Sequence, residues 1–128
     1  MKKGLFILSL CTLLAMATTD TNAQSKKGKV LRHVVLFAFK STATPEDIKK
    51  VEQAFIALPG KIKTIKDFEW GTNSSPEGVN QGLTHCFFLT FSSDKDRDDY
   101  LVHPDHKAFG AVVGPVLEKV TVVDYWTN

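Results

Sequence analysis

Two segments of the chain have the pattern of strands that are apolar on both faces. In residues 30–39 both alternate sets of side chains are apolar after Arg32, apart from His33. Residues 84–91 repeat the pattern, with phenylalanines at both odd and even positions. A strand with two apolar faces belongs in a sheet that is covered on both sides. We therefore expect a sheet with a layer against each face.

A helix is predicted between these two strands. Thr44 is typical of an N-cap and Pro45 of the first helical position. Apolar residues then recur at steps of three and four and predict one buried stripe: Ile48, Val51, Phe55 and Leu58. Pro59 and Gly60 are expected to end this helix.

A second helical region is predicted after the second apolar strand. Ser93, with Asp96 three residues later, resembles a capping box at its start. Pro104 divides the region, because proline is tolerated only in the first turn of a helix. The second helix is expected to run from Pro104 to about Val113.

The remaining apolar segments complete the order of elements. Residues 65–71 and 120–126 predict strands, and residues 72–82 form a long loop that is rich in turn formers. The order strand, helix, strand, strand, helix, strand is that of the ferredoxin-like split βαβ fold. We therefore predict an α+β domain in which a four-stranded antiparallel sheet carries its helices on one face.

The face of the sheet without helices needs another cover. Five apolar side chains are expected there: Val34, Leu36, Ala38, Cys86 and Phe88. A large apolar patch seldom stays exposed on a monomer, and a second copy of the same sheet would cover it. This predicts a homodimer with an α/β barrel between subunits; the alternative is an unusually apolar monomeric sheet.

The first 23 residues have the features of a secretory signal peptide. Two lysines precede an apolar stretch from Leu5 to Ala17, and small residues lie near position 23. The stretch is shorter than the roughly 20 residues of a membrane helix, although an uncleaved anchor is an alternative. We expect a cleaved signal peptide (1–23), a disordered linker (24–29) and one folded domain (30–127). The mature protein would be periplasmic or secreted and not bound to a membrane.

Charge and cysteine content exclude several classes of protein. Removal of residues 1–23 changes the formal net charge from +2 to +1, and a net charge this small does not indicate binding to nucleic acid. Cys86 is then the sole cysteine, so the mature chain has no internal disulfide. Its phenylalanine neighbours predict a buried thiol.

The segment His103-Pro104-Asp105-His106 concentrates groups that can transfer protons. Two imidazoles three residues apart lie on one side of a helix start, and Tyr100 precedes them by one turn. Histidine suits proton abstraction near neutral pH, and a phenol can donate to a developing enolate or phenolate oxygen. His106 as base and Tyr100 as donor are therefore the candidate catalytic residues.

A pocket follows if the odd-numbered faces of the two apolar strands look toward the helices. The histidines of both strands would then meet Tyr100 and His106 in an apolar space, the usual form of a small-molecule site. Periodicity does not decide which face this is. The candidate ligand-binding residues are His33, Val35, Phe37, Val51, Phe55, His85, Phe87, Leu89, Phe109 and Val122.

Structural roles are the alternatives for the same residues. His103 at a helix start is a candidate N-cap, and His33 and His85 are candidates for hydrogen-bonded structural side chains. A metal needs three or four ligands in matched geometry, and two histidines at a step of three are a weak zinc pattern. We expect neither a metal nor a cofactor.

Several segments together resemble the stress-responsive dimeric A/B barrel (Dabb) family. They are residues 31–37, 70–71, 82–85, 100–106 with Phe109, and 123–126. The resemblance implies a dimeric α+β barrel of the ferredoxin-like type. Members include plant stress proteins without an assigned reaction and a polyketide cyclase. In that cyclase the position matching His106 is the general base, and the position matching Tyr100 helps to hold the substrate.

Two functions of different class follow. The first is an exported homodimer of stress-response type that binds a small apolar or aromatic ligand between sheet and helices, without established chemistry. The second is a cofactor-independent cyclase, isomerase or lyase that uses His106 and Tyr100.

Overall fold

The computed structural model describes residues 28–128. The predicted signal peptide and residues 24–27 of the predicted linker lie outside the described residues. Gly28 and Lys29, the last linker residues, are exposed and have no regular structure.

The described chain forms one four-stranded antiparallel sheet with four helices. Its elements are β1 (Leu31–Phe39), α1 (Pro45–Ile56), α2 (Leu58–Lys61), β2 (Asp67–Thr72), β3 (His85–Phe91), α3 (Asp94–Val102), α4 (Pro104–Val113) and β4 (Leu117–Trp126). The strand order is β2-β3-β1-β4, and every neighbouring pair is antiparallel. The predicted α+β ferredoxin-like arrangement is confirmed. Within residues 28–128 no helix has the length and apolar character needed to cross a membrane.

The strand register decides which side chains share a face of the sheet. His33 pairs with Leu89 on one side and with Asp124 on the other, so all three lie on the same face. We call this the inner face, because its side chains pack against the helices. Val34, the next residue, pairs with Phe88 and Val123 on the outer face, which no helix of the described chain covers.

The core lies between the inner face and the helices. Aromatic rings fill much of it, and the rings of Phe55 on α1 and Phe87 on β3 stack with centroids 4.0 Å apart. The buried core residues are Leu31, Val35, Phe37, Val51, Phe55, Leu58, Ile62, Ile65, Phe87, Leu89, Phe91, Tyr100, Phe109 and Val113.

Three predicted boundaries were wrong by a few residues. The first helix ends at Ile56, and Leu58 begins the separate one-turn helix α2 that contains Pro59 and Gly60. Proline fits there because it stands in the first turn. The second strand begins at Asp67 rather than residue 65, and the last begins at Leu117 rather than residue 120.

The thiol of Cys86 is only half-buried, contrary to the expectation of a buried side chain. The reason is the register: Cys86 pairs with Leu36 on the outer face, whereas Phe87 points into the core.

Candidate functional site

A cavity of about 340 Å³ lies between the inner face of β1 and β4 and the helices α3 and α4. We call it the inner cavity. Most of its lining is apolar, and its polar side chains are two imidazoles, a phenol and a carboxylate. The lining residues are His33, Val35, Phe37, Phe55, Tyr100, Leu101, His106, Phe109, Gly110, Val113, Leu117, Val120, Val122 and Asp124.

The junction of α3 and α4 places Tyr100 and His106 beside each other. His103 is the N-cap of α4, as predicted, and its Nδ1 accepts a hydrogen bond from the backbone N–H of Asp105 at 3.2 Å. Pro104 occupies the first position of α4. The resulting turn brings the rings of Tyr100 and His106 to 4.3 Å between centroids.

Burial favours the neutral form of His106, and one of its ring nitrogens has no hydrogen-bond partner within residues 28–128. Its Nδ1 lies 3.1 Å from the carbonyl oxygen of Leu101. A carbonyl only accepts, so Nδ1 carries the proton and Nε2 keeps its lone pair. Burial lowers the pKa of His106, and the nearby His33 lowers it further, although the Leu101 hydrogen bond acts the other way.

Tyr100 is a buried phenol that contacts both imidazoles of the cavity. It is 1% exposed, and its ring centroid lies 5.7 Å from that of His33 in an edge-to-face arrangement. Burial raises the pKa of Tyr100 well above its usual value. The side chain is therefore a neutral hydroxyl, which can donate a hydrogen bond to an oxygen or nitrogen of a bound molecule.

His33 forms the third polar group of the cavity together with Asp124. Its Nδ1 lies 2.6 Å from Asp124 Oδ1. The other carboxylate oxygen, Oδ2, accepts a hydrogen bond from a guanidinium nitrogen of Arg97 at 2.7 Å. Burial raises the pKa of Asp124, but the hydrogen bonds from Arg97 and His33 outweigh it and leave this pKa below the usual value.

Eight of the residues selected from the sequence line the inner cavity, and four do not. His33, Tyr100 and His106 do so together with five apolar residues: Val35, Phe37, Phe55, Phe109 and Val122. Val51 on α1 and Phe87 and Leu89 on β3 are instead fully buried in the core. Phe87 and Leu89 lie on the predicted face of the sheet, but packed side chains fill the space over that part of it.

His85 also faces the helices but lies apart from the inner cavity. Its Nε2 lies 2.9 Å from Glu52 Oε1 on α1, and its Nδ1 lies 2.9 Å from the hydroxyl of Thr84. Both ring nitrogens are therefore occupied, and the ring stacks on Trp70. The sequence predicted that His33, His85 and His106 converge on one cavity, and this was wrong for His85. The inner cavity lies over β1 and β4, and β1 separates β3 from β4.

Sequence reasoning did not select Asp124 and Arg97. Asp124 had a detectable signal, since it is the sole charged residue in the apolar segment 120–126. Arg97 had none, because it stands among the charged residues of α3 and reaches Asp124 across 27 positions.

A second cavity and the absence of a metal cluster also bear on what the described residues can bind. The second cavity, of about 540 Å³, lies on the outer side of the sheet under the loop before β3. Of the four histidines, only His85 borders it. Within residues 28–128 there is no group of three or more histidine, cysteine or carboxylate side chains arranged to hold a metal ion.

Comparison with known sequences identifies the family. The model of the stress responsive A/B barrel domain (Dabb) matches residues 31–127. The chain belongs to the Dabb family. The resemblance seen in the sequence is thereby confirmed for nearly the whole described chain.

Curated relatives of the chain include proteins with and without a reaction in their names. The stress-response A/B barrel domain-containing protein HS1 of Arabidopsis thaliana is 37% identical over 102 residues, which cover 80% of this chain and 93% of that protein. Olivetolic acid cyclase of Cannabis sativa is 30% identical over 95 residues, which cover 74% of this chain and 94% of the cyclase.

Solved structures of similar proteins have the same fold. An Arabidopsis thaliana protein aligns with a TM-score of 0.72 and 36% identity over 77% of this chain and 95% of its own. A hydroxynitrile lyase from Passiflora edulis aligns with a TM-score of 0.72 and 28% identity, over 77% of this chain and 94% of the lyase chain. A ferredoxin-like protein from Bacteroides fragilis, described as dimeric, aligns with a TM-score of 0.64 and 28% identity. The alignment covers 77% of this chain and 96% of the Bacteroides fragilis chain.

Proposed function

We propose that this Dabb protein binds a small apolar or aromatic molecule in the inner cavity. The observation that carries the proposal is the cavity itself: about 340 Å³ of space whose apolar lining is interrupted by His33, Tyr100, His106 and Asp124. Small-molecule sites in proteins are usually apolar clefts of roughly 300–1,000 Å³ with a few well-placed polar groups. The apolar lining selects for an apolar body, and the imidazoles and the phenol select for a ligand with a polar group.

Filling the cavity tests this proposal. Gly110 lines the cavity on α4, and a Cβ at this position would meet no atom within 4 Å. A Gly110→Leu substitution adds a large side chain at the cavity wall, and it favours the helix by about 1 kcal/mol because glycine is a poor helix former. The probe is N-phenyl-1-naphthylamine, a neutral aromatic dye that becomes fluorescent in apolar surroundings.

The expected result is a loss of dye binding in Gly110→Leu with no loss of stability. Gly60→Leu is the matched control, because Gly60 lies on α2 away from the cavity and has equal room for a side chain. Dye binding that is equal in wild type, Gly110→Leu and Gly60→Leu would contradict the proposal. Native mass spectrometry of the purified protein then identifies any molecule that co-purifies.

We further propose that the protein is a homodimer whose subunits pair through their outer faces. Half-buried Val34, Leu36 and Phe88 lie at the centre of this face, and Val123 and Tyr125 are 51% and 45% exposed. Exposed apolar patches of this kind mark interaction surfaces. The dimeric description of the Bacteroides fragilis relative supports the same partner, a second copy of the chain.

Light scattering of two matched variants tests the dimer. Val123→Lys places a charge on the outer face, whereas Ile56→Lys places the same charge on α1 at a similarly exposed position, 44%. Wild type and Ile56→Lys are expected at the mass of two chains and Val123→Lys at the mass of one. A wild-type mass of one chain would overturn the proposal.

A second candidate function is cofactor-independent proton-transfer catalysis. The observation that favours it is the free Nε2 of a neutral His106 next to the hydroxyl-bearing ring of Tyr100. Two relatives have names that describe enzymes, a cyclase and a hydroxynitrile lyase. In the lyase reaction, His106 would take the hydroxyl proton of an aromatic hydroxynitrile, the bond to cyanide would break, and the cyanide would leave with that proton as an aldehyde forms.

Cleavage of mandelonitrile to benzaldehyde is a direct assay for this candidate function. Activity should be lost in His106→Ala and kept in His103→Asn, because the latter removes an imidazole from the same segment but preserves an N-cap. Turnover that persists in His106→Ala would show that His106 is not the base.

We also propose that residues 1–23 direct export and are then removed. The support is the sequence pattern of a basic start, a short apolar stretch and small residues near position 23. N-terminal sequencing of exported protein is expected to start near Gln24. Exported material that begins at Met1 would contradict cleavage.

A further inference from the structure

Arg97, Asp124 and His33 form a chain of contacts that leads from the protein surface to the inner cavity. Arg97 Nη1 lies 2.7 Å from Asp124 Oδ2, and Asp124 Oδ1 lies 2.6 Å from His33 Nδ1. The side chains of Arg97 and Asp124 are 20% and 26% exposed, whereas that of His33 is only 5% exposed. The carboxylate is therefore shared between a surface cation and a buried imidazole.

The donors around Asp124 dictate the protonation of the His33 ring. An arginine side chain only donates hydrogen bonds, and an ionised carboxylate only accepts them. With one carboxylate oxygen bound to Arg97, the other accepts from His33 Nδ1, which must carry the proton. In neutral His33 the lone pair then lies on Nε2.

We propose that Arg97 and Asp124 are positioning residues that fix neutral His33 in the tautomer with the proton on Nδ1. The inner cavity then contains two imidazoles of the same tautomer, because His106 donates from its own Nδ1 to the carbonyl of Leu101. Tyr100 contacts both rings, with centroid distances of 5.7 Å to His33 and 4.3 Å to His106.

The consequence for the ligand rests on the proposed binding function. A cavity with two imidazole acceptors and one phenol favours a molecule that brings its own hydroxyl donors, and it disfavours a ligand whose polar groups only accept. The selectivity is set by a surface arginine that has no contact with the cavity.

The neighbours of His33 support a role for Asp124 and Arg97 in particular. On its other sides the ring contacts Phe91 on β3 and Tyr100 on α3, neither of which is charged at neutral pH. His106 on α4 is another titratable group nearby, and burial favours the neutral form of that imidazole.

Nitrogen-15 NMR of the histidine rings, recorded above the pH at which they titrate, tests the proposal without a ligand. Wild type should show the proton of His33 on Nδ1. In Asp124→Asn, Arg97 takes the single amide oxygen, so the amide N–H₂ faces His33 Nδ1 and forces the proton to Nε2. In the double variant Arg97→Met/Asp124→Asn the amide oxygen is free to turn to His33, and the Nδ1 proton should return.

Reversal in the single variant and restoration in the double variant support the proposal. An Nε2 proton in wild type, or no reversal in Asp124→Asn, overturns it. His106 is the internal control, since its tautomer should be the same in all variants. If Asp124→Asn does not fold, Arg97→Met alone decides: carbon-13 NMR should show the Asp124 carboxyl titrating at higher pH than in wild type, and an unchanged midpoint overturns the role of Arg97.

The outcome is separable from that of the proposed function. Dye binding that fails while the tautomer switches as expected removes the binding proposal and leaves the positioning role of Arg97 and Asp124 intact. If the dye binds but the His33 tautomer is unchanged in Asp124→Asn, the binding proposal stands and the positioning role of Arg97 and Asp124 is removed.

Discussion

Burial and hydrogen bonds determine the protonation state of individual side chains around the inner cavity. Burial lowers the pKa of His106 and raises the pKa of Tyr100, so both are neutral near neutral pH. Asp124 is the exception, because hydrogen bonds from Arg97 and His33 outweigh its burial and keep it ionised. Asp124 is therefore the charged group of the cavity lining, whereas His106 and Tyr100 are neutral.

The lowered pKa of His106 predicts a pH dependence of stability. The unfolded chain takes up a proton at this histidine near the usual pH of 6.5, whereas the folded chain does so at lower pH. Since the unfolded state then binds more protons, the free energy of unfolding should fall as the pH drops below 6.5.

Urea unfolding between about pH 7.5 and about pH 5.5 measures this loss of stability. The loss should be smaller in His106→Gln, which still has a donor for the Leu101 carbonyl but does not titrate. NMR should place the midpoint of His106 below 6.5. A midpoint above that value would contradict the assigned burial effect.

At the scale of elements, the cap of α4 holds the candidate site together. His103 ends α3 and caps α4, and Pro104 starts α4 at once. Because no loop intervenes, Tyr100 on one helix and His106 on the next are fixed relative to each other.

Loss of this cap should destabilise the protein. His103→Ala leaves the backbone N–H of Asp105 without its acceptor and is expected to cost about 1 kcal/mol in the free energy of unfolding. His103→Asn supplies another acceptor and should remain near wild type in urea unfolding. If His103→Ala and His103→Asn lose the same free energy of unfolding, His103 stabilises the protein by something other than capping.

The Glu52–His85 pair joins α1 to β3 and gives a second prediction at this scale. His85 is 7% exposed, and Glu52→Leu leaves its Nε2 without a partner, at an expected cost of about 1–3 kcal/mol. Glu52→Gln keeps a carbonyl acceptor and should cost less in the same urea unfolding measurement. Dye binding should be unchanged in both, because the pair lies outside the inner cavity.

At the scale of the whole molecule, apolar side chains remain exposed at the edge strand β4 and on the outer face. Val120 and Val122 line the inner cavity yet are 48% and 50% exposed, so the cavity opens along β4. On the other side of the same strand, no described residue covers Val123 and Tyr125, which are 51% and 45% exposed. Pairing of two subunits would bury the outer face and leave the inner cavity of each subunit accessible.

A dimer of this kind predicts that stability depends on protein concentration. Association stabilises the folded state by mass action, so the thermal midpoint should rise with protein concentration. The Val123→Lys variant should have a lower midpoint that does not change with concentration. Calorimetry over a hundredfold range of concentration checks both, and a constant wild-type midpoint would contradict the dimer.

The order of elements and the helix starts were predictable because they depend on local signals. Thr44 and Ser93 accept hydrogen bonds as N-caps where their positions indicated. The face of β1 that looks toward the helices was not predictable, because both alternate sets of residues 30–39 are apolar. His85 and His33 looked equivalent in the sequence, yet one binds Glu52 and the other borders the cavity.

The sequence by itself determined the fold class and the joint placement of Tyr100 and His106, since these follow from periodicity, capping and short-range spacing. It also indicated the family, through the resemblance of several segments to known members. Tertiary structure alone decided that Asp124 and Arg97 meet His33, because strand register and the packing of α3 bring together residues far apart in the chain. It also decided where the cavity lies, since space remains only where the side chains of β1, β4 and α4 do not fill it.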